Sequence, residues 1–268
     1  PMLFLFIPWI TFAVALWPFA EKETKSEYKP SSFDLPTQAE EFQDVRVLLE
    51  DSVSEVRLIS NFPFKVFDST GHQLMKGQSM SNTLARSQSS GIQLGPQIFR
   101  GAQLTLKSQG DGFKVGKYFY RKNLILGLKD NGKLALVNEV PLEDYLKGVL
   151  PWEVNPDWSP ESLKAQAVAS RTYALFNMIE NQQAGYHLRP DVLSQVYKGK
   201  GIEKATTSKA VEATRGQILT YRGNVFPAYF HSTCGGATTA IDALWNRKFH
   251  PALKGVKCGF CTSSKHYR

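Results

Sequence analysis

The chain has 268 residues, enough for one large domain or two ordinary ones with a sizeable core, which excludes a miniprotein stapled by disulfides. Its 42% hydrophobic and 21% charged residues, with 20 Gly and 14 Pro, lie near globular averages, so collagen-like and wholly disordered chains are excluded too. Lys and Arg number 32 against 24 Asp and Glu, a formal charge of +8 that suits polyanionic surroundings, either nucleic acid or an anionic cell envelope.

From Met2 to Ala20 there is no charged residue. That length lies between the apolar region of a signal peptide and a minimal transmembrane helix of about 20 residues. Thr11 is its one polar residue, so a buried helix with a solvent face does not fit, and residues 1–20 are expected to export or anchor the chain. Pro18-Phe19-Ala20 is a poor small-x-small cleavage site, so a cleaved signal and a retained membrane anchor both stand. Residues 21–42, with Pro30, Ser31, Ser32 and Pro36, have the composition of a linker.

Residues 43–138 read as a β-rich module of short runs broken by turns: 45–49, 56–59, 64–67, 103–106, 124–128 and 134–137. Asp130-Asn131-Gly132-Lys133 predicts a hairpin turn, because Asn-Gly tolerates positive φ. At Pro141 the pattern turns helical. A short helix over 142–150 is expected to stop at Pro151, with Glu143 and Lys147 at a supporting i,i+4 spacing. Ser159 as N-cap, Pro160 in the first turn and Glu161 after it open a second helix running to about Asn181. A third helix is expected near 203–214, ended by Gly216, followed by a hairpin with its turn at Arg222-Gly223-Asn224 and a return strand from Val225 to His231. The fold class is α+β: an antiparallel β module, then a mixed helix-plus-hairpin domain over 139–268.

Several motifs in order carry a resemblance: Pro141 to Glu153 (PLEDYLKGVLPWE), Leu163 to Tyr173 (LKAQAVASRTY), Ser194 to Tyr197 (SQVY) and His231 to Gly236 (HSTCGG). Over roughly residues 139–265 the sequence resembles the SpoIID (stage II sporulation protein D) family, which includes peptidoglycan lytic transglycosylases and amidase-enhancer proteins. The resemblance implies Glu153 as the catalytic acid. The residues agree, since a carboxylate set between Pro151, Trp152 and Val154 would be partly desolvated and hold its proton toward neutral pH. A hydrolase needs a second carboxylate about 5 to 9.5 Å away, whereas a transglycosylase uses the muramic C6 hydroxyl as nucleophile, leaves a 1,6-anhydro end, and works with one glutamate as acid and then base. No second carboxylate falls in a matched motif; Glu143, Asp144 and Asp157 read as helix-end or turn charges.

Lys164, Gln166, Arg171 and Tyr173 on the second helix are candidate glycan contacts or groups that orient Glu153, with a solvent-facing or capping role as the alternative. Gln195, Tyr197, Ser232, Gly235 and Gly236 are further groove candidates, Gln195 and Tyr197 weighed evenly against core hydrogen bonding. Ser232 beside His231 lacks an activating third residue for acyl transfer. Cys234, Cys258 and Cys261 are the only cysteines, and with His231 their spacing suits a structural zinc; one disulfide plus an odd thiol is the alternative, and His266 competes as fourth ligand. Cys234 stands where many relatives have serine, so the zinc reading does not come from the family. Catalysis itself needs no cofactor on this reading. The expected partner is the peptidoglycan glycan strand, the location the periplasm or cell envelope. A non-catalytic stimulator of a cell-wall amidase is the second reading. Nucleic acid is set aside because no basic, aromatic-interleaved strand pattern supports it.

Overall fold

The structure, a computed structural model, describes residues 44–190, 194–244, 250–262, 264 and 267. The expected export segment 1–20 and linker 21–42, and His266, lie outside the described residues. The chain is α+β: ten strands of one antiparallel sheet, then helices. In chain order the strands are β1 (Val45–Val53), β2 (Glu55–Ser60), β3 (Phe64–Phe67), β4 (Gln73–Gly77), β5 (Met80–Gln88), β6 (Gly91–Leu94), β7 (Gln97–Arg100), β8 (Gln103–Val115), β9 (Tyr118–Leu128) and β10 (Leu134–Val140). After them come α1 (Leu142–Glu153), α2 (Pro160–Glu180), α3 (Ala205–Ala213), the short pair β11 (Thr220–Tyr221) and β12 (Asn224–Val225), and α4 (Ile241–Leu244). No helix among the described residues is long and apolar enough to cross a membrane.

The long sheet runs β1-β10-β9-β8-β2-β5-β6-β7, with β3 also on β8 and β4 on β3. β8 serves two neighbours because it is interrupted between Lys107 and Gly112: its first half pairs with β3 and its end, at Lys114 and Val115, with β2. The 130–133 turn forms as expected, Gly132 taking φ +71° between β9 and β10. Strands β4 to β7 are additions to the six runs legible in the sequence.

One apolar core joins strands and helices, from Val45, Leu106 and Leu136 to Tyr145, Val149, Ala167 and Val211. The change of character at Pro141 is therefore a change of secondary structure above a shared core. The edge strand β1 also reaches past α2: the Leu48 N–H donates to the Leu188 carbonyl at 2.9 Å, and the Arg46 N–H to His187 Nδ1 at 3.1 Å. Burial, with the Arg46 guanidinium beside it, holds His187 down to about 4.

Two helix expectations are corrected. α1 does not stop at Pro151 but continues to Glu153, because only the proline's own N–H is lost and the Val154 N–H still closes on the Leu150 carbonyl at 3.0 Å. Glu143 and Lys147 do not pair: Lys147 reaches Asp144 at 3.7 Å and Glu212 at 3.1 Å, and Glu143 turns inward. α2 matches its signals, with Ser159 accepting from the Ser162 N–H at 3.3 Å and Asn181 ending it. The later hairpin is shorter than expected. Arg222 and Gly223 both take positive φ, the two-residue turn that matches strand twist, and the return strand ends at Val225.

Close packing of the segment that follows α2 on α1 and on β9 depends on two glycines. A Cβ on Gly148 would lie 2.7 Å from the Tyr197 ring, and one on Gly199, whose φ is +68°, would strike the Phe119 carbonyl oxygen. Gly199→Ala is expected to cost about 3 kcal/mol, from a forbidden backbone conformation plus the clash, read as a lowered Tm by calorimetry; an unchanged Tm would show that this segment is not tightly held.

Candidate functional site

Glu153 is the last residue of α1, so its carboxylate stands at the negative end of a helix, which disfavours its charge. The side chain is half-buried. Its recorded hydrogen bond comes from the Val196 N–H to Oε1 at 3.1 Å, and among the described residues it joins no ion pair. Burial pushes the group up to about 7, against the opposing pull of that N–H.

The Val196 N–H is placed by its neighbours. Gln195, buried, accepts from the Tyr145 hydroxyl at 3.1 Å and donates to the Ser170 carbonyl at 3.3 Å. Tyr197, also buried, donates from its hydroxyl to Asn138 Oδ1 at 2.7 Å and packs its ring 4.9 Å from Tyr145 and 5.6 Å from Tyr120. Asn138, on β10, in turn donates to the Arg121 and Asn123 carbonyls, both at 2.8 Å. Alternate side chains thus anchor the segment to helices and sheet, leaving the intervening N–H to meet the acid. Both residues take the core hydrogen-bonding alternative that the sequence left open.

Arg171 is not a surface contact for a glycan. It is fully buried, and its guanidinium grips Glu143 with two bonds of 2.8 Å while donating to the Val211 carbonyl at 3.2 Å, the Gln217 carbonyl at 3.1 Å and Thr214 Oγ1 at 3.5 Å. All five N–H donors are thereby matched by protein acceptors, so the residue ties α1 to α2 and α3. Gln166 is buried as well, bonded to Ser170 Oγ at 3.1 Å. Lys164 lies on the outer side of α2, paired with Glu161 at 2.8 Å. Tyr173 is half-buried edge-on to Tyr229 at 5.9 Å and Phe230 at 6.5 Å. Phe230 in turn packs with Trp158 on the cluster of Val154, Leu163 and Ala210, which brings the 229–230 segment beside the residue after Glu153. His231 and Gly235 are exposed, Ser232 half-buried, and Gly236 takes φ +105°.

Cys234, Cys258 and Cys261 converge, although 27 positions separate the first from the last: all three sulfurs lie within 4.8 Å of one another, and Cys234 Sγ is 3.5 Å from Cys261 Sγ. A tetrahedral zinc with bonds of about 2.3 Å sets its sulfurs about 3.8 Å apart, so the three fit that ion as free thiols. His231 is not among the gathered ligand atoms.

The sequence reading missed a patch beside the acid. Trp152 keeps 50% of its surface exposed, and Lys198 Nζ lies 3.8 Å over its ring and 5.8 Å from that of Tyr118 on β9. Trp152 was visible within its motif; the approach of Lys198 and Tyr118 was not, because it depends on how the sheet meets the helices.

A family model for stage II sporulation protein (SpoIID) matches residues 130–221. An uncharacterized protein of Brachyspira hyodysenteriae is 38% identical over 154 residues, which is 57% of this chain and 41% of that protein. Stage II sporulation protein D of Bacillus subtilis is 35% identical over 147 residues, 49% of this chain and 43% of the relative. The amidase enhancer of Bacillus subtilis is 42% identical over 101 residues, 38% of this chain and 13% of the relative. The chain therefore spans less than half the length of the curated relatives it matches.

Glu153 gives the fold a measurable pH signature. Its proton affinity is raised on folding, so its contribution to stability is fully present below about 4.5 and is lost as pH rises through about 7. His187, depressed, works in the opposite sense and loses stability as pH falls from about 6.5 to about 4. Comparing Glu153→Gln with the parent cancels the histidine. The variant is expected to be more stable at pH 8 by about 1–2 kcal/mol, discounted for partial exposure, and equal to the parent at pH 4, measured by chemical denaturation.

Proposed function

We propose that the chain, which matches the SpoIID family model over residues 130–221, cleaves peptidoglycan glycan strands in the cell envelope as a lytic transglycosylase, with Glu153 as general acid and then base. The observation that carries the reading is a half-buried carboxyl, outside any ion pair among the described residues, that holds its proton to about 7. The protonated Glu153 gives its proton to the oxygen linking N-acetylmuramic acid to N-acetylglucosamine. As the C1–O bond breaks, the muramic C6 oxygen bonds to C1 and its proton passes to the Glu153 carboxylate, which restores the acid. The products are a 1,6-anhydro end and a free 4-hydroxyl, with no water consumed. While Glu153 is charged, the Val196 N–H stabilises it, and the bonds that fix Gln195 and Tyr197 keep that donor in place.

A second reading, a stimulator of a cell-wall amidase that does no chemistry itself, is favoured by the 42% identity to a protein of that name. Digestion of purified glycan strands separates the two. The wild type is expected to yield 1,6-anhydromuramic ends, at a kcat/KM that falls as pH rises above about 7, and Glu153→Gln at least about 10²-fold fewer. Ordinary reducing ends would indicate a hydrolase, and intact strands with a stimulated amidase would establish the second reading.

The three thiolates are proposed to hold a structural zinc that pins the 234–261 segment and takes no part in the chemistry. Elemental analysis is expected to find about one zinc per chain, and thiol titration after chelation about three reactive groups; a metal-free protein with a Cys258–Cys261 disulfide would refute the site.

A further inference from the structure

Lys198 is half-buried between two aromatic rings, and among the described residues no carboxylate pairs with it. Neighbouring ammonium groups are neutralised: Lys200 by Asp111 at 2.6 Å, Lys147 by Glu212 at 3.1 Å. A second amine joins Lys198, for Lys117 Nζ lies 5.2 Å from the centre of the same Tyr118 ring. Burial pushes the Tyr118 hydroxyl up, but the hydrogen bonds and charges of Lys117 and Lys198 outweigh it and bring the group below its ordinary range. Two like charges thus converge on one phenol, an arrangement relieved by a bound anion. Trp152 keeps 50% of its surface exposed while Lys198 lies over one side of its ring, and exposed indole surface packs on the C–H face of a pyranose. The patch adjoins the acid through two segments: Trp152 precedes Glu153, and Lys198 follows by two residues the Val196 that bonds it.

We propose that Trp152, Tyr118, Lys117 and Lys198 form a subsite for a sugar bearing a carboxylate, the indole stacking on the ring and the two ammonium groups receiving the acid. The β module then does more than support the fold, since β9 and the residue before it contribute half of the subsite. The location of this subsite along a glycan rests on the transglycosylase reading; the binding chemistry does not. On a muramyl glycan the carboxylate comes either from the lactyl ether of the sugar or from an attached stem peptide.

The test is calorimetric binding to Glu153→Gln, which retains the subsite, using four tetrasaccharides: a muramyl glycan with free lactyl groups, its lactyl methylamide, its stem-peptide form and neutral chitotetraose. At least one carboxylate-bearing glycan is expected to bind about tenfold or more tighter than the methylamide and chitotetraose, as a charge-assisted hydrogen bond gives. Tightness of the free-lactyl form alone assigns the carboxylate to the sugar, and tightness of the peptide form assigns it to the stem. Adding Lys198→Gln should abolish the preference but keep chitotetraose binding, and adding Trp152→Ala should weaken all four. Tm measurements on each variant verify folding. Equal binding of charged and neutral glycans, or a preference that survives Lys198→Gln, overturns the subsite. Carboxylate-dependent binding by a wild type that forms no anhydro ends would overturn the catalytic reading and leave the subsite standing.

Discussion

The helical half is organised around one buried cation. Arg171 lies in the middle of α2 with no exposed surface, and a guanidinium there is tolerable only if every N–H finds an acceptor. Glu143 supplies two, and three carbonyl or hydroxyl oxygens from α3 and the loop after it supply the others. Desolvating such a pair offsets much of its attraction, but losing one partner would strand a charge in the core at about 3–5 kcal/mol. The arrangement therefore specifies geometry more than it adds stability: α1 has one rotation and one height that satisfy Arg171, and that setting fixes where its last residue emerges.

The last residue is Glu153, and its surroundings differ in kind from those of Glu143 on the same helix. Glu143 faces a charged fork. Burial and the unfavourable end of the helix outweigh the one backbone N–H that Glu153 meets, so folding leaves it holding its proton near neutrality. Two carboxyl groups with opposite environments receive opposite roles, one binding helices together and the other available for proton transfer. The N–H is delivered from the far side of the core, by a segment that the Tyr197–Asn138 bond ties to β10 and the Tyr145–Gln195 bond ties to α1. Sheet, helix and loop consequently converge on one carboxyl oxygen.

Elements that announce themselves locally were legible in the sequence. Ser159 and Pro160 mark the start of α2 within a residue, and Asn131-Gly132 marks the turn between β9 and β10. Strands β4 to β7 gave no such sign, being polar and short of β-branched residues; they exist because β3 offers β4 a pairing partner, and β2 and one another offer partners to β5, β6 and β7. Pro151 misled because a proline removes one hydrogen bond, which a helix already held by buried Leu146, Val149 and Leu150 survives. Arg171 misled in a different way, since helical spacing aligns it with Lys164 but cannot tell that one end of α2 faces solvent and its middle faces Glu143.

By itself the sequence determined the α+β succession, the motif order that carries the likeness to the SpoIID family, and the glutamate at position 153 with its tryptophan beside it, because these are fixed by residue type and local backbone preference. Only the tertiary structure decided what that glutamate is. Its proton affinity is raised by burial against the opposing pull of an N–H 43 residues further along, and the two amines beside Tyr118 arrive from separate segments. Electrostatics act through space, and distances between remote segments come into being only when the chain has folded.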